Sequence, residues 1–170
     1  PSYSTEECKN PSKNDIFEIG IFLKEFHKIT KDKTSTNSQL FLKDELYKLI
    51  EKTNHKPFFE QFFKLNIELK NDGIIHGDLF PDNATFFDKK LSCVFDFIQS
   101  CNGDFLFDLA VIALSWCNTK EEIIYLLKSY QTDTTYESFL PYLKYAGLYY
   151  CVTRFLEKKD FSDLWNKISF

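Results

Sequence analysis

The chain has 170 residues, 44% of them hydrophobic and 18% aromatic, which predicts one domain (1–170) with its own core and excludes a disordered segment. The net charge of −4 excludes the basic face that nucleic-acid binding needs. No apolar run approaches the roughly 18 residues of a membrane span, so neither nucleic acid nor membrane is expected as a partner.

Residues 1–13 read as a turn-rich leading segment. Asn14 can cap a helix whose apolar face carries Ile16, Phe17, Ile19, Phe22, Leu23 and Phe26 and which ends near Thr30. After the polar loop "KDKTSTNS", amphipathic spacing predicts a helix over about 39–51 and another over about 58–70, stopped by Asn71-Asp72-Gly73. The stretch "IIHGDLFPDN" (74–83) is neither good helix nor good strand. "ATFFDKKLSCVFDF" predicts a short β-hairpin turning near 88–90, and "DFLFDLAVIALSWC" a helix buried on almost every face. Thr119 is a plausible cap for the amphipathic "TKEEIIYLLKSYQ". A long helix over about 136–158 and a short one from about Phe161 complete a mainly α, α+β lobe of five to seven helices with one hairpin.

Cys8, Cys93, Cys101, Cys117 and Cys151 are scattered with no CxxC spacing. They point to reduced, mostly buried thiols and a cytoplasmic protein rather than a disulfide framework or a zinc site. The opening "PSYSTEECKN" has no signal-peptide character.

The hairpin's register brings chemistry together. If Phe87 pairs with Leu91 or Ser92, counting back sets Asn83 opposite Phe95 or Asp96, and directly opposed residues sit roughly 5 Å apart. Asp78 lies on the loop leading in. Three oxygen-bearing side chains thus converge at one end of the hairpin. Oxygen-only ligands suit Mg²⁺, and two groups for a metal with a third carboxylate free is what phosphoryl transfer needs. Asp108 lies inside a buried run, where a carboxylate is costly unless paired or hydrogen-bonded. It is either a helix N-terminal acid favoured by the dipole or a brace accepting from backbone amides of the 76–79 loop. His76 by itself reads as a satisfied core histidine.

"HGDLFPDN" (76–83), "VFDF" (94–97) and "CNGDFLFDLA" (101–110) resemble the catalytic half of the aminoglycoside- and choline-kinase-like phosphotransferases, which share the protein-kinase fold. Within that group "FDFIQSCNGDFLFDLAVIALSWC" is most similar to the homoserine kinases. The resemblance implies the C-terminal lobe of the kinase-like fold, with Asp78 as catalytic base, Asn83 and Asp96 as metal ligands, and His76 and Asp108 as braces of the loop. It implies ATP as co-substrate, Mg²⁺ as cofactor and L-homoserine as acceptor. Arg154, the one Arg among 21 basic residues, and Asp104 are the substrate-binding candidates. A kinase for another small amino alcohol or an aminoglycoside, and a non-catalytic pseudokinase or interaction module, stand as alternatives. With five glycines and no G-x-G-x-x-G, the N-terminal nucleotide-binding lobe is expected to be absent from this chain. The chain alone is then expected to be inactive and to self-associate through the face that lobe would cover.

Overall fold

The structure, a computed structural model, describes residues 6–7 and 10–169. Ser12, rather than Asn14, starts the first helix, α1 (Lys13–Thr30): its hydroxyl accepts from the Asp15 amide while the Asp15 carboxylate accepts from the Ser12 amide. Asn14 instead donates from its side chain to the Lys89 carbonyl at 2.6 Å, tying α1 to the hairpin turn. Helix α2 (Lys43–Thr53) begins later than the predicted Gln39, because Phe41 leaves the helical path to enter the core as part of a loop.

Helix α3 (Lys56–Lys64) stops short of the predicted Lys70. Leu65, Ile67 and Leu69 alternate with polar residues, and period two suits extended chain; Leu65 and Ile67 are buried and Leu69 packs partly beneath them. Gly73 does not stop a helix. It opens strand β2 (Gly73–Ile75), where any side chain would run into the Thr30 carbonyl. β2 pairs antiparallel with β5 (Cys101–Gly103), Ile75 opposite Cys101. This pair is absent from the sequence expectation, since three residues are too few to display a period.

Between these strands lie a 3₁₀ turn (Pro81–Asn83) and the hairpin β3 (Ala84–Phe87) and β4 (Lys90–Val94); strand β1 (Glu6–Glu7) lines the other side of β3. Asp88 and Lys89 both have positive φ, 47° and 61°, the geometry of a two-residue turn matched to strand twist. Phe87 faces Lys90, one residue from the expected partner. An irregularity between Thr85 and Phe86 absorbs the difference, so the Asn83 carbonyl accepts from the Phe95 amide at 3.1 Å.

Helix α4 (Phe105–Trp116) is buried along nearly its whole length. It packs on α6 (Tyr136–Leu156), which also carries α7 (Ser162–Ile168), while α1 packs on α5 (Lys120–Tyr130). Among the described residues there are thus seven α-helices, the upper end of the expected range. Cys101, Cys117 and Cys151 are buried and Cys93 exposed, all as free thiols; Cys8 lies outside the described residues. Among the described residues no helix is long and apolar enough to cross a membrane.

Candidate active site

The loop between β2 and the 3₁₀ turn is held from behind by a carboxylate. The amides of His76 and Gly77 donate to Asp108 Oδ2 and Oδ1, each at 2.8 Å, and His27 Nε2 donates to Oδ2 at 2.9 Å. Burial alone would raise the Asp108 pKa, yet the His27 bond and the surrounding donors hold it below the usual carboxylate range. Gly77 has φ +82°, and a Cβ there would lie 2.5 Å from the Phe41 ring, so only glycine fits this turn. His76 Nδ1 accepts from the Asp78 amide at 3.2 Å. The ring proton therefore sits on Nε2, which donates to the Phe95 carbonyl at 3.1 Å. His76 thereby joins the loop to the far end of the hairpin. From α4 the Trp116 indole donates to the Leu79 carbonyl at 2.9 Å, and from α6 the Tyr150 hydroxyl donates to the Gly77 carbonyl.

This frame presents Asp78, Asn83 and Asp96 to one cavity of about 570 Å³, together with Asp82, Gln99 and Arg154. Asn83 Nδ2 donates to the Asp78 carbonyl at 2.7 Å, so its amide nitrogen is committed and its Oδ1 is left as an acceptor. Asp96 lies two residues past β4 with φ +59°, a left-handed conformation uncommon outside glycine and found at functional sites. Gln99 Nε2 donates to Asp78 Oδ2 at 3.3 Å. Burial pushes the Asp78 pKa up to about 6; the Tyr150 hydroxyl opposes that rise, Asp82 and Asp96 add to it, and Arg154 reduces it. The Arg154 guanidinium lies over the Phe80 ring at 5.7 Å. Among the described residues no carboxylate stands within ion-pair distance of it.

Asp104 is not brought together with these residues. It lies outside this cavity, 3% exposed, as the N-cap of α4: Oδ1 accepts from the Leu106 and Phe107 amides at 2.7 and 3.3 Å, and Oδ2 from the Lys70 amide at 2.8 Å. Both oxygens serve the backbone.

The sequence profile of the phosphotransferase enzyme family matches residues 7–142, a span that holds the loop, the hairpin and α4. The chain belongs to this family. Among phosphotransferase relatives, it is similar to the homoserine kinase of Rhizobium meliloti (strain 1021), 33% identical over 100 residues, covering 59% of this chain and 28% of that protein. It is also similar to the homoserine kinase of Bartonella henselae, 29% identical over 120 residues, covering 58% of this chain and 38% of that one. The matched regions thus span well under half the length of these relatives. The crystal structure of LicA in complex with AMP superposes with a TM-score of 0.71 at 19% identity, covering 92% of this chain and 61% of that one. A choline/ethanolamine kinase family protein from Mesorhizobium loti gives 0.65 at 12% identity, covering 96% and 63%. These superpositions give the phosphotransferase chain the helical lobe of the kinase-like fold with its small hairpin.

Two residues that hold the loop at this cavity escaped sequence reasoning. His27 continues the stripe Ile16, Ile19, Leu23 at helical spacing and is 2% exposed; a polar residue on an apolar stripe was the available signal. Tyr150 stands four residues before Arg154, hence on the same helix face, a spacing that links it to the cavity once Arg154 is suspected.

Proposed function

We propose that this chain is the catalytic lobe of an ATP-dependent kinase that phosphorylates the hydroxyl of a small amino acid, L-homoserine. The observation that carries the reading is the meeting in one cavity of Asp78, Asn83, Asp96 and an Arg154 with no carboxylate within ion-pair distance among the described residues. The family match supports phosphotransfer, and the homoserine kinase relatives support the acceptor.

Asp78 is the group that receives the acceptor's hydroxyl proton. A base acts best when its pKa lies near the working pH, and a value of about 6 leaves this carboxylate ionised at neutrality but ready to take a proton. Asn83 and Asp96 form the metal pair. The Asn83 amide oxygen and the Asp96 carboxylate are hard oxygen donors, the set Mg²⁺ prefers while keeping waters or phosphate oxygens. A divalent cation held there offsets phosphate charge. Arg154 supplies the cation for the acceptor's carboxylate, which a guanidinium can grip with two parallel hydrogen bonds. Asp108 and His76 set the loop's shape and touch no substrate.

A polypeptide of these 170 residues is further expected to self-associate, because Phe97 and Ile98, 40% and 84% exposed, adjoin the cavity as an apolar edge. Concentration-dependent sedimentation checks this, and a single monomeric species at all concentrations argues against it. For the acceptor, the test is ATP consumption by the full-length protein with L-homoserine, choline, ethanolamine and kanamycin in parallel. The reading expects turnover with homoserine at least about 100-fold above the others, the discrimination a site built around buried polar contacts can reach. Equal or better turnover with choline or kanamycin overturns the acceptor assignment.

A further inference from the structure

Strands β2 and β5 end side by side, with Ile75 opposite Cys101. Carried past the ladder, the same register sets Gln99 opposite Gly77 and beside Asp78. Gly77 has no side chain, and a Cβ there would lie 3.2 Å from the Gln99 carbonyl oxygen. The two backbones therefore come close, and the Gln99 side chain reaches the cavity. There its Nε2 donates to Asp78 Oδ2 at 3.3 Å.

The turn that carries Gln99 is itself held. The Ser100 amide donates to the Phe97 carbonyl at 3.0 Å, the Ser100 hydroxyl to the Ile75 carbonyl at 2.7 Å, and Asn37 Nδ2 to the Ser100 carbonyl at 2.7 Å. Phe97 packs against the His76 ring, with centroids 4.5 Å apart. Ile98 is 84% exposed while Gln99 is half-buried, so the turn points its apolar residue outward and its amide inward. The Asp78 main chain is fixed as well: its amide donates to His76 Nδ1 at 3.2 Å, and its carbonyl accepts from Asn83 Nδ2 at 2.7 Å. What remains to be set is the rotation of the carboxyl group about its side-chain bonds.

We propose that Gln99 is a positioning residue for Asp78: its amide holds Oδ2 and so presents Oδ1 to the substrate's hydroxyl. The proposal rests on the reading of Asp78 as the base. An ionised carboxylate only accepts hydrogen bonds, so the amide must turn its nitrogen toward Oδ2. A hydrogen bond to a charged acceptor is among the stronger ones, and here its donor stands on a tethered turn. Gln99 touches the base and leaves the substrate to the rest of the cavity.

In the full-length protein, Gln99→Glu keeps the length and shape of the side chain and replaces the donor with a second acceptor. Gln99→Met keeps the bulk and removes the donor. A misplacement of about 1 Å can cost about 10²-fold in rate. Gln99→Glu is therefore expected to lower kcat about 100-fold and Gln99→Met about tenfold, with KM for ATP and for homoserine within about twofold of wild type. A role confined to filling space predicts the reverse order, since glutamate fits the same room best. Gln99→Glu turning over near the wild-type rate therefore overturns the proposal. A rise in KM for homoserine with kcat unchanged would make Gln99 a substrate contact, and that result overturns it too. If Gln99→Met does not fold, Gln99→Asn keeps the amide and withdraws it by one methylene; a wild-type kcat there overturns the proposal. Asp78→Asn is measured alongside. If Asp78→Asn turns over near the wild-type rate, the base reading itself fails. If Asp78→Asn loses turnover while Gln99→Glu keeps it, the role of Gln99 alone fails.

Discussion

His27 and Asp108, 81 residues apart, meet through a 2.9 Å hydrogen bond from Nε2 to Oδ2, and neither side chain is more than 2% exposed. The other ring nitrogen of His27 lies 2.7 Å from the Tyr130 hydroxyl. Burial and the neighbouring acid charges hold Tyr130 protonated well beyond the ordinary phenol range. A buried chain thus runs from α5 through α1 to α4 and ends on the amides that shape the Asp78 loop.

Removing the carboxylate from that chain leaves the His76 and Gly77 amides and His27 Nε2 without their acceptor in a buried site. Asp108→Ala is therefore expected to lower the unfolding free energy by about 3–5 kcal/mol, measured by urea denaturation. Asp108 has its folded pKa below the unfolded one. Its stabilisation is therefore present above the unfolded value, near pH 4, and is lost as pH falls through the folded value. Asp108→Asn should flatten the acid end of the stability profile. An unchanged profile would show that the brace does not ionise as described.

Asp78 carries the opposite sign. Its folded pKa, about 6, lies above the unfolded one, so the native state binds the extra proton and this group's contribution falls as pH rises from about 4 through 6. Asp78→Asn removes a carboxylate that the fold keeps charged at a cost. With allowance for its partial exposure and solvent screening, the variant should gain about 1–2 kcal/mol at pH 7. A higher melting temperature at pH 7 but not at pH 4 is the expected pattern. A loss of stability at pH 7 would contradict it.

Much of this arrangement is legible in the sequence, for physical reasons that also mark where reading stops. Apolar periodicity in α1 and α5 is long enough to fix their identity, and the meeting of Asn83 with Phe95 follows from counting back along a hairpin. The count survives a one-residue shift at Phe87 only because the irregularity after Thr85 offsets it, which no local pattern announces. Strands β2 and β5 are too short to display alternation, and their pairing depends on the close approach of Gly73 to Thr30. Asp104 and Asp108 look alike in "GDFLFDLA", both being acids at the start of an apolar helix. Only the fold distinguishes the one that caps α4 from the one turned toward the loop.

Arg154 is expected to act on the acceptor and not on the nucleotide. Arg154→Lys retains the charge but loses the planar fork. In the full-length protein KM for homoserine should rise by about 10–100-fold, a loss of about 1.4–2.7 kcal/mol, with KM for ATP within about twofold of wild type. A parallel rise in both constants would assign Arg154 to general packing against Phe80.

Asp96→Ala should remove one of the two proposed metal ligands without disturbing the brace, since the Phe95 carbonyl that receives His76 is untouched. The Mg²⁺ concentration needed for half-maximal turnover is expected to rise at least about tenfold, the lower end of what is lost when a metal site is weakened. Unchanged Mg²⁺ dependence would remove Asp96 from the metal pair.

The most direct test of the account is the pH dependence of kcat/KM in the full-length protein, with saturating ATP and Mg²⁺, for wild type and Asp78→Asn. The account predicts a wild-type acid limb near pH 6, set by the Asp78 carboxylate. It predicts that Asp78→Asn loses about 10²–10⁴-fold in turnover, the range of general-base catalysis, while remaining folded. An Asp78→Asn protein that turns over near the wild-type rate, with its acid limb in the same place, would contradict it.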